Sequence, residues 1–156
     1  MPGRWTGLTL AATVLAGGCG SGATSPTPAP TGPVRVSVSA LPTLAGGTAL
    51  FAIRLDNISS SPVNLTFPSS CKLLPYFTDR AGRAVIPEGG GFACLAVVTQ
   101  LTLSPGVSLI ETYTVTRGTT PESPFIVLPP GEYTIRGRLE DTVYKLESEP
   151  LAFAVQ

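Results

Sequence analysis

The chain has 156 residues, 43% hydrophobic and 13% charged, with ten basic residues balanced by ten acidic ones. That length holds one domain with an extra segment, and an even charge balance with no basic stripe gives no reason to expect nucleic acid. Histidine is absent, which removes the base of most hydrolytic triads and the commonest zinc ligand.

Residues 1–18 read as an export signal. One positive charge in Met1-Pro2-Gly3-Arg4 precedes an uncharged run from Trp5 to Leu15, rich in Leu, Ala, Thr and Val. Eleven residues make about 16 Å of helix, far short of the roughly 30 Å hydrocarbon core, so the run is not a transmembrane span. Leu15-Ala16-Gly17-Gly18-Cys19 resembles the lipobox of bacterial lipoproteins, in which the cysteine is lipidated and becomes the new N-terminus. The large aliphatic residue lies four places before Cys19 rather than the usual three. Residues 19–33 then carry no charge and no large apolar side chain, so they cannot bury enough surface to offset their ordering entropy. Their prolines favour an extended tether, and Gly20 to Pro33 at ~3.1 Å per residue reaches about 40 Å. The expected location is a lipid anchor on the bacterial envelope.

From Val34 to Gln156 the period is two. Val34, Val36 and Val38 alternate with Arg35, Ser37 and Ser39; Phe51, Ile53 and Leu55 alternate with Arg54 and Asp56; Val63, Leu65 and Phe67 alternate with Asn64 and Thr66. Strands over Leu73–Thr78 and Arg83–Ile86 flank the turn Asp79-Arg80-Ala81-Gly82. Those over Thr99–Leu103 and Ser108–Thr116 flank Ser104-Pro105-Gly106. Pro129-Pro130-Gly131 opens a strand with Tyr133 and Ile135 inward, and Leu151, Phe153 and Val155 close the chain. Seven to nine one-faced strands, with 17 glycines and 16 prolines against helix, predict an all-β, immunoglobulin-like antiparallel sandwich over residues 34–156.

An exported chain meets oxidising conditions, and with Cys19 lipidated only Cys71 and Cys94 are left to pair. A redox or metal pair lacks both C-x-x-C spacing and a histidine. The bond encloses the Asp79–Gly82 turn and the glycines at 89–91, and the expectation is that it braces the hairpin.

Leu55-Asp56-Asn57-Ile58-Ser59-Ser60-Ser61-Pro62-Val63-Asn64-Leu65-Thr66-Phe67-Pro68-Ser69 resembles the opening of the BsuPI-type intracellular proteinase inhibitor domain. Tyr76 to Arg83 is similar to its next strand and hairpin, Leu101 to Ser108 to its Pro-Gly turn, and Leu128 to Thr134 to its final Pro-Pro-Gly-x-Tyr strand. Ser70-Cys71 replaces a Gly-Gln common there, and Val107-Ser108 a Glu-Ser. The resemblance spans about Thr48 to Val155 and implies an immunoglobulin-like sandwich and, as for the family's namesake, inhibition of a serine protease. No inhibitory residue is carried over from it.

Candidate contacts come from the residues themselves. Arg80 and Arg83 stand near a hairpin tip, where a cation could enter a trypsin-type pocket, although exposed turn arginines are commonly just solvated. Thr119 and Thr120, stiffened by Pro121 and Pro124, lie in a second contact loop or a plain long connection. Asn57 and Asn64 fit the glycosylation pattern but read as a turn residue and an outward strand residue. Glu140-Asp141 lacks a calcium loop, and Ser59-Ser60-Ser61 lacks a base. The expected protein is not an enzyme and has no cofactor or metal. It is a monomer that binds a protein, with an extracytoplasmic serine protease as leading partner. The alternative is an envelope structural or interaction module without inhibitory activity.

Overall fold

Strand after strand buries alternate residues, and two faces made this way close on each other. The structure, a computed structural model, describes residues 32–41, 48–87, 91–117 and 126–156. It is all-β, with ten strands and no helix among the described residues: β1 (Val34–Leu41), β2 (Ala49–Asn57), β3 (Val63–Phe67), β4 (Leu73–Asp79), β5 (Ala84–Val85), β6 (Thr99–Leu103), β7 (Ser108–Arg117), β8 (Ile126–Leu128), β9 (Gly131–Leu139) and β10 (Leu151–Val155). One sheet has the order β1-β2-β7-β8, a second β10-β9-β4-β5, and β3 and β6 form a two-stranded sheet among the described residues. Residues 1–31, which include the expected signal, Cys19 and most of the expected tether, lie outside the described residues, as do Thr119 and Thr120.

The all-β sandwich expected from the sequence is observed, but with ten strands in place of seven to nine and with one pair that is parallel where all were expected antiparallel. Ile126, Val127 and Leu128 are all buried and run parallel to β7, with Val115 opposite Ile126 and Arg117 opposite Leu128. A three-residue strand of this kind shows no alternation, and flanking prolines make it read as connection.

Register fixes the two ends of the molecule. Val34 of β1 lies opposite Asn57, Leu73 of β4 opposite Leu139, and Asp79 opposite Tyr133. One end therefore gathers the chain entry at Pro33, the β3–β6 pair and the start of β4; it is the entry end. The other holds the turn after Asp79 and the start of β9; it is the hairpin end. Eight steps along β9 at ~3.4 Å put them about 27 Å apart.

Two apolar clusters divide the interior in the same way. Val36, Ile53, Leu55, Leu65, Phe67 and Leu73 centre the entry half, while Phe51, Phe77, Val115, Leu128 and Ile135 centre the hairpin half. Rings crowd the second cluster: Phe153 lies 4.8 Å from Phe51, 6.1 Å from Phe77 and 5.7 Å from Tyr133. Within the entry half the two sheets approach closely at Gly137, where a Cβ would stand 2.4 Å from Ile53 Cγ2 and 3.3 Å from Val36 Cγ1. Only glycine lets β9 pass under β1 and β2 there.

Candidate functional site

The hairpin between β4 and β5 is built around one carboxylate. Asp79 Oδ1 accepts from the amides of Ala81 and Arg83, both at 2.9 Å, and Oδ2 accepts from Arg83 Nε at 2.8 Å. The backbone closes the same turn, Asp79 N donating to Arg83 O and Gly82 N to Asp79 O, each at 2.9 Å. Gly82 takes φ +76°, a left-handed position that other residues reach only at a cost. The Arg83 amide and guanidinium, joined by the Ala81 amide, hold the Asp79 carboxyl below its ordinary value.

The two arginines singled out from sequence therefore play different parts. Arg83 is folded back onto Asp79, with NH2 to Oδ2 at 2.7 Å. Arg80 stands clear, its side chain 86% exposed, its nearest partner Glu132 at 3.4 Å and itself 67% exposed. Such a pair gains little in water. The backbone at Arg80 is a closed turn and not an extended segment, so the hairpin has the shape of a plug and not of a bound substrate.

Beside the hairpin the outer face of the second sheet is hollow. Thr78 lies opposite Thr134, and Thr134 opposite Ala152, so these small side chains share one row. With Ala154 they floor a depression of about 580 Å³ rimmed by Arg80 and Glu132. The alternation that turns Tyr133 and Ile135 inward leaves Thr134 outward, but alternation along one strand does not reveal the groove. Its signal is a row of small residues at outward positions of three neighbouring strands, visible only once their register is known.

Cys71 and Cys94 are bonded, with Cα atoms 5.5 Å apart. The expectation that this bond braces the hairpin is corrected by the fold: Cys71 precedes β4 and the turn follows it, so the length of that strand separates them. What the bond holds is the segment leading into β6. Leu95 N donates to Ser70 Oγ at 2.9 Å, Ser70 N to Leu95 O at 3.0 Å, and Phe92 packs 5.7 Å from the Tyr113 ring. The Tyr113 hydroxyl donates to the Leu73 carbonyl oxygen and lies 2.9 Å from Glu111 Oε2. Burial, then the Glu111 charge, pushes its pKa up. Leu95, Val97 and Val98 in this segment are 70%, 47% and 67% exposed.

The entry end is knit by buried polar side chains. Asn57, 2% exposed, donates through Nδ2 to the carbonyls of Ser61 and Leu103, both at 2.8 Å, and accepts from Ser59. Asn57 is thus the turn residue the sequence suggested, and Asn64 an exposed strand residue taking a bond from Thr102. Asp141, fully buried, accepts from the amides of Thr66 at 2.6 Å and of Val143 and Tyr144 at 2.8 Å. Burial opposes its charge, but the amides of Tyr144, Val143, Thr66 and Thr142 outweigh burial and pull the pKa below the ordinary value. Asp56 behaves alike: burial is outweighed by Ser108, Arg54 and Arg35, with Ser108 Oγ and Arg54 Nε each 2.5 Å from Oδ1. Among the described residues no three His, Cys, Asp or Glu side chains gather as metal ligands, and no helix is long and apolar enough to cross a membrane.

No family model matches this chain, and neither does any curated protein.

Proposed function

We propose that this chain is an exported lipoprotein whose sandwich binds a protein without doing chemistry, and that its partner is an extracytoplasmic serine protease. The observation carrying this reading is the hairpin: a turn held by five hydrogen bonds about Asp79 keeps Arg80 exposed beside a small-residue groove. A part already ordered loses little conformational freedom on binding. The resemblance to the BsuPI-type inhibitors supports the same choice of partner, and the closed turn favours a plug that is not consumed. Export is supported by the Cys71–Cys94 bond, since such bonds persist in oxidising compartments. Of three cysteines, that bond leaves Cys19 to carry lipid.

The test is titration of the purified chain against a panel of extracellular trypsin- and subtilisin-like enzymes. Reversible inhibition is expected, weakened at least tenfold by Arg80→Ala and less by Arg83→Ala. An unaffected panel at tens of micromolar protein would remove inhibition and leave the interaction module, for which the exposed Leu95–Val98 segment is the favoured contact.

A further inference from the structure

The chain enters the fold among three loops that carry no charge. Residues 32–33, 58–62 and 104–107 contain only Gly, Pro, Ser, Ile and Val. They are tied together by the backbone: Ile58 N donates to Pro33 O at 2.9 Å, and the Asn57 amide and carbonyl bond Val107 O and Gly106 N, both at 3.1 Å. At this tip two aliphatic side chains face water, Ile58 at 41% and Val107 at 48% exposure. Just behind it, on the outer face of the first sheet, Arg35 and Arg54 share the single carboxylate of Asp56, their side chains 54% and 50% exposed. The group keeps one net positive charge.

We propose that this tip docks on the lipid surface to which the chain is anchored, seating Ile58 and Val107 in the headgroup region with the Arg35–Arg54 pair against anionic headgroups. The inference rests on the reading of Cys19 as a lipidated anchor. What selects lipid as occupant is the chain before Gly32. It ends at this tip, and from Cys19 it is too short to let the domain stray more than about 40 Å from the bilayer. Confinement of that kind gives a weak contact a high effective concentration, so two aliphatic residues suffice where a free domain would need many. Anionic lipid attracts the residual positive charge, and arginine stems lie along apolar surface with their heads in water. Docked in this way, the domain points its hairpin about 27 Å outward, away from the bilayer.

The experiment uses the full lipidated chain in vesicles of phosphatidylethanolamine and phosphatidylglycerol, some with brominated acyl chains. An environment-sensitive dye is placed at Ser60→Cys or, in a second protein, at Ala81→Cys. Dye at position 60 should shift to the blue and be quenched by brominated lipid at least threefold more than dye at 81. Adding Ile58→Ser and Val107→Ser should at least halve that quenching. A chain that does not float with the vesicles would sink the anchor and this inference together. A chain that floats with position 60 in water, or with both positions quenched alike, overturns the inference and leaves the anchor standing. A blue shift without lipid quenching would mean that protein covers the tip, and overturns it also.

Discussion

Asp79 and Asp141 do the same job at opposite ends of the sandwich. Each carboxylate gathers backbone amides of a turn, and each is held below its ordinary pKa for doing so. Asp141 is sealed from water and reaches Thr66, 75 positions away, whereas Asp79 organises only its own turn at the surface. The same chemistry therefore ties distant strands together at the entry end and shapes a local protrusion at the hairpin end. Stability should reside in the first and recognition in the second.

The largest effect should come from Asp141→Ala. It strands three amide donors, those of Thr66, Val143 and Tyr144, at a cost of about 4 kcal/mol by urea unfolding. Asp79→Ala should leave the unfolding midpoint nearly unmoved; an equal loss from both variants would break the contrast. Acid sharpens it. Asp141 binds its proton more weakly when folded, so its contribution is whole above the ordinary value of 3.8 and disappears as pH falls through the lower folded value. The Asp141→Asn protein should lose less stability than the parent between pH 5 and 2.

Next comes the disulfide, which closes a separation of 23 residues. Its reduction should cost roughly 3 kcal/mol by chain entropy, read as a lowered thermal midpoint. Because the bond sits at the far end of β4 from the turn, inhibition by protein that is still folded should survive reduction. Simultaneous loss of both would show the ends to be coupled.

A Gly137→Ala change probes the close approach of the two sheets, where the new methyl would meet Ile53 Cγ2 at 2.4 Å. Overpacking there should cost about 2 kcal/mol, less in an Ile53→Ala background. The smallest effect on stability belongs to Arg80→Ala, within about 0.5 kcal/mol, alongside the weakened inhibition given above.

Much of this was readable in the residues because each strand carries its own alternation. Val34 and Val36, Phe51–Leu55 and Val63–Phe67 bury the apolar face that their pattern assigned, while Val38 is half-buried and Asp56, on the face read as outward, is buried too. Proline and glycine marked the turns, and cysteine elimination gave the bonded pair. The unread parts depend on meetings across the chain. Asp141 looked like an incomplete calcium ligand because its partner amide at Thr66 is close only after β3 has crossed the entry end. The hairpin looked stapled because it is enclosed by the cysteines in sequence, and seven residues of β4 then carry it away. The groove needed three strands in register before its small side chains formed one floor. β8 offered no period at all.

The eight-residue ladder between β1 and β2 has a mechanical consequence. A tether pulled at Pro33 while the hairpin end is held draws β1 along its own axis against β2. The hydrogen bonds are then loaded together in shear, not opened one after another as in a zipper, and rupture must break the ladder as a unit. On the proposed reading, with the domain strung between a bilayer and a captured protein, the ladder lies along the line on which tension would arrive.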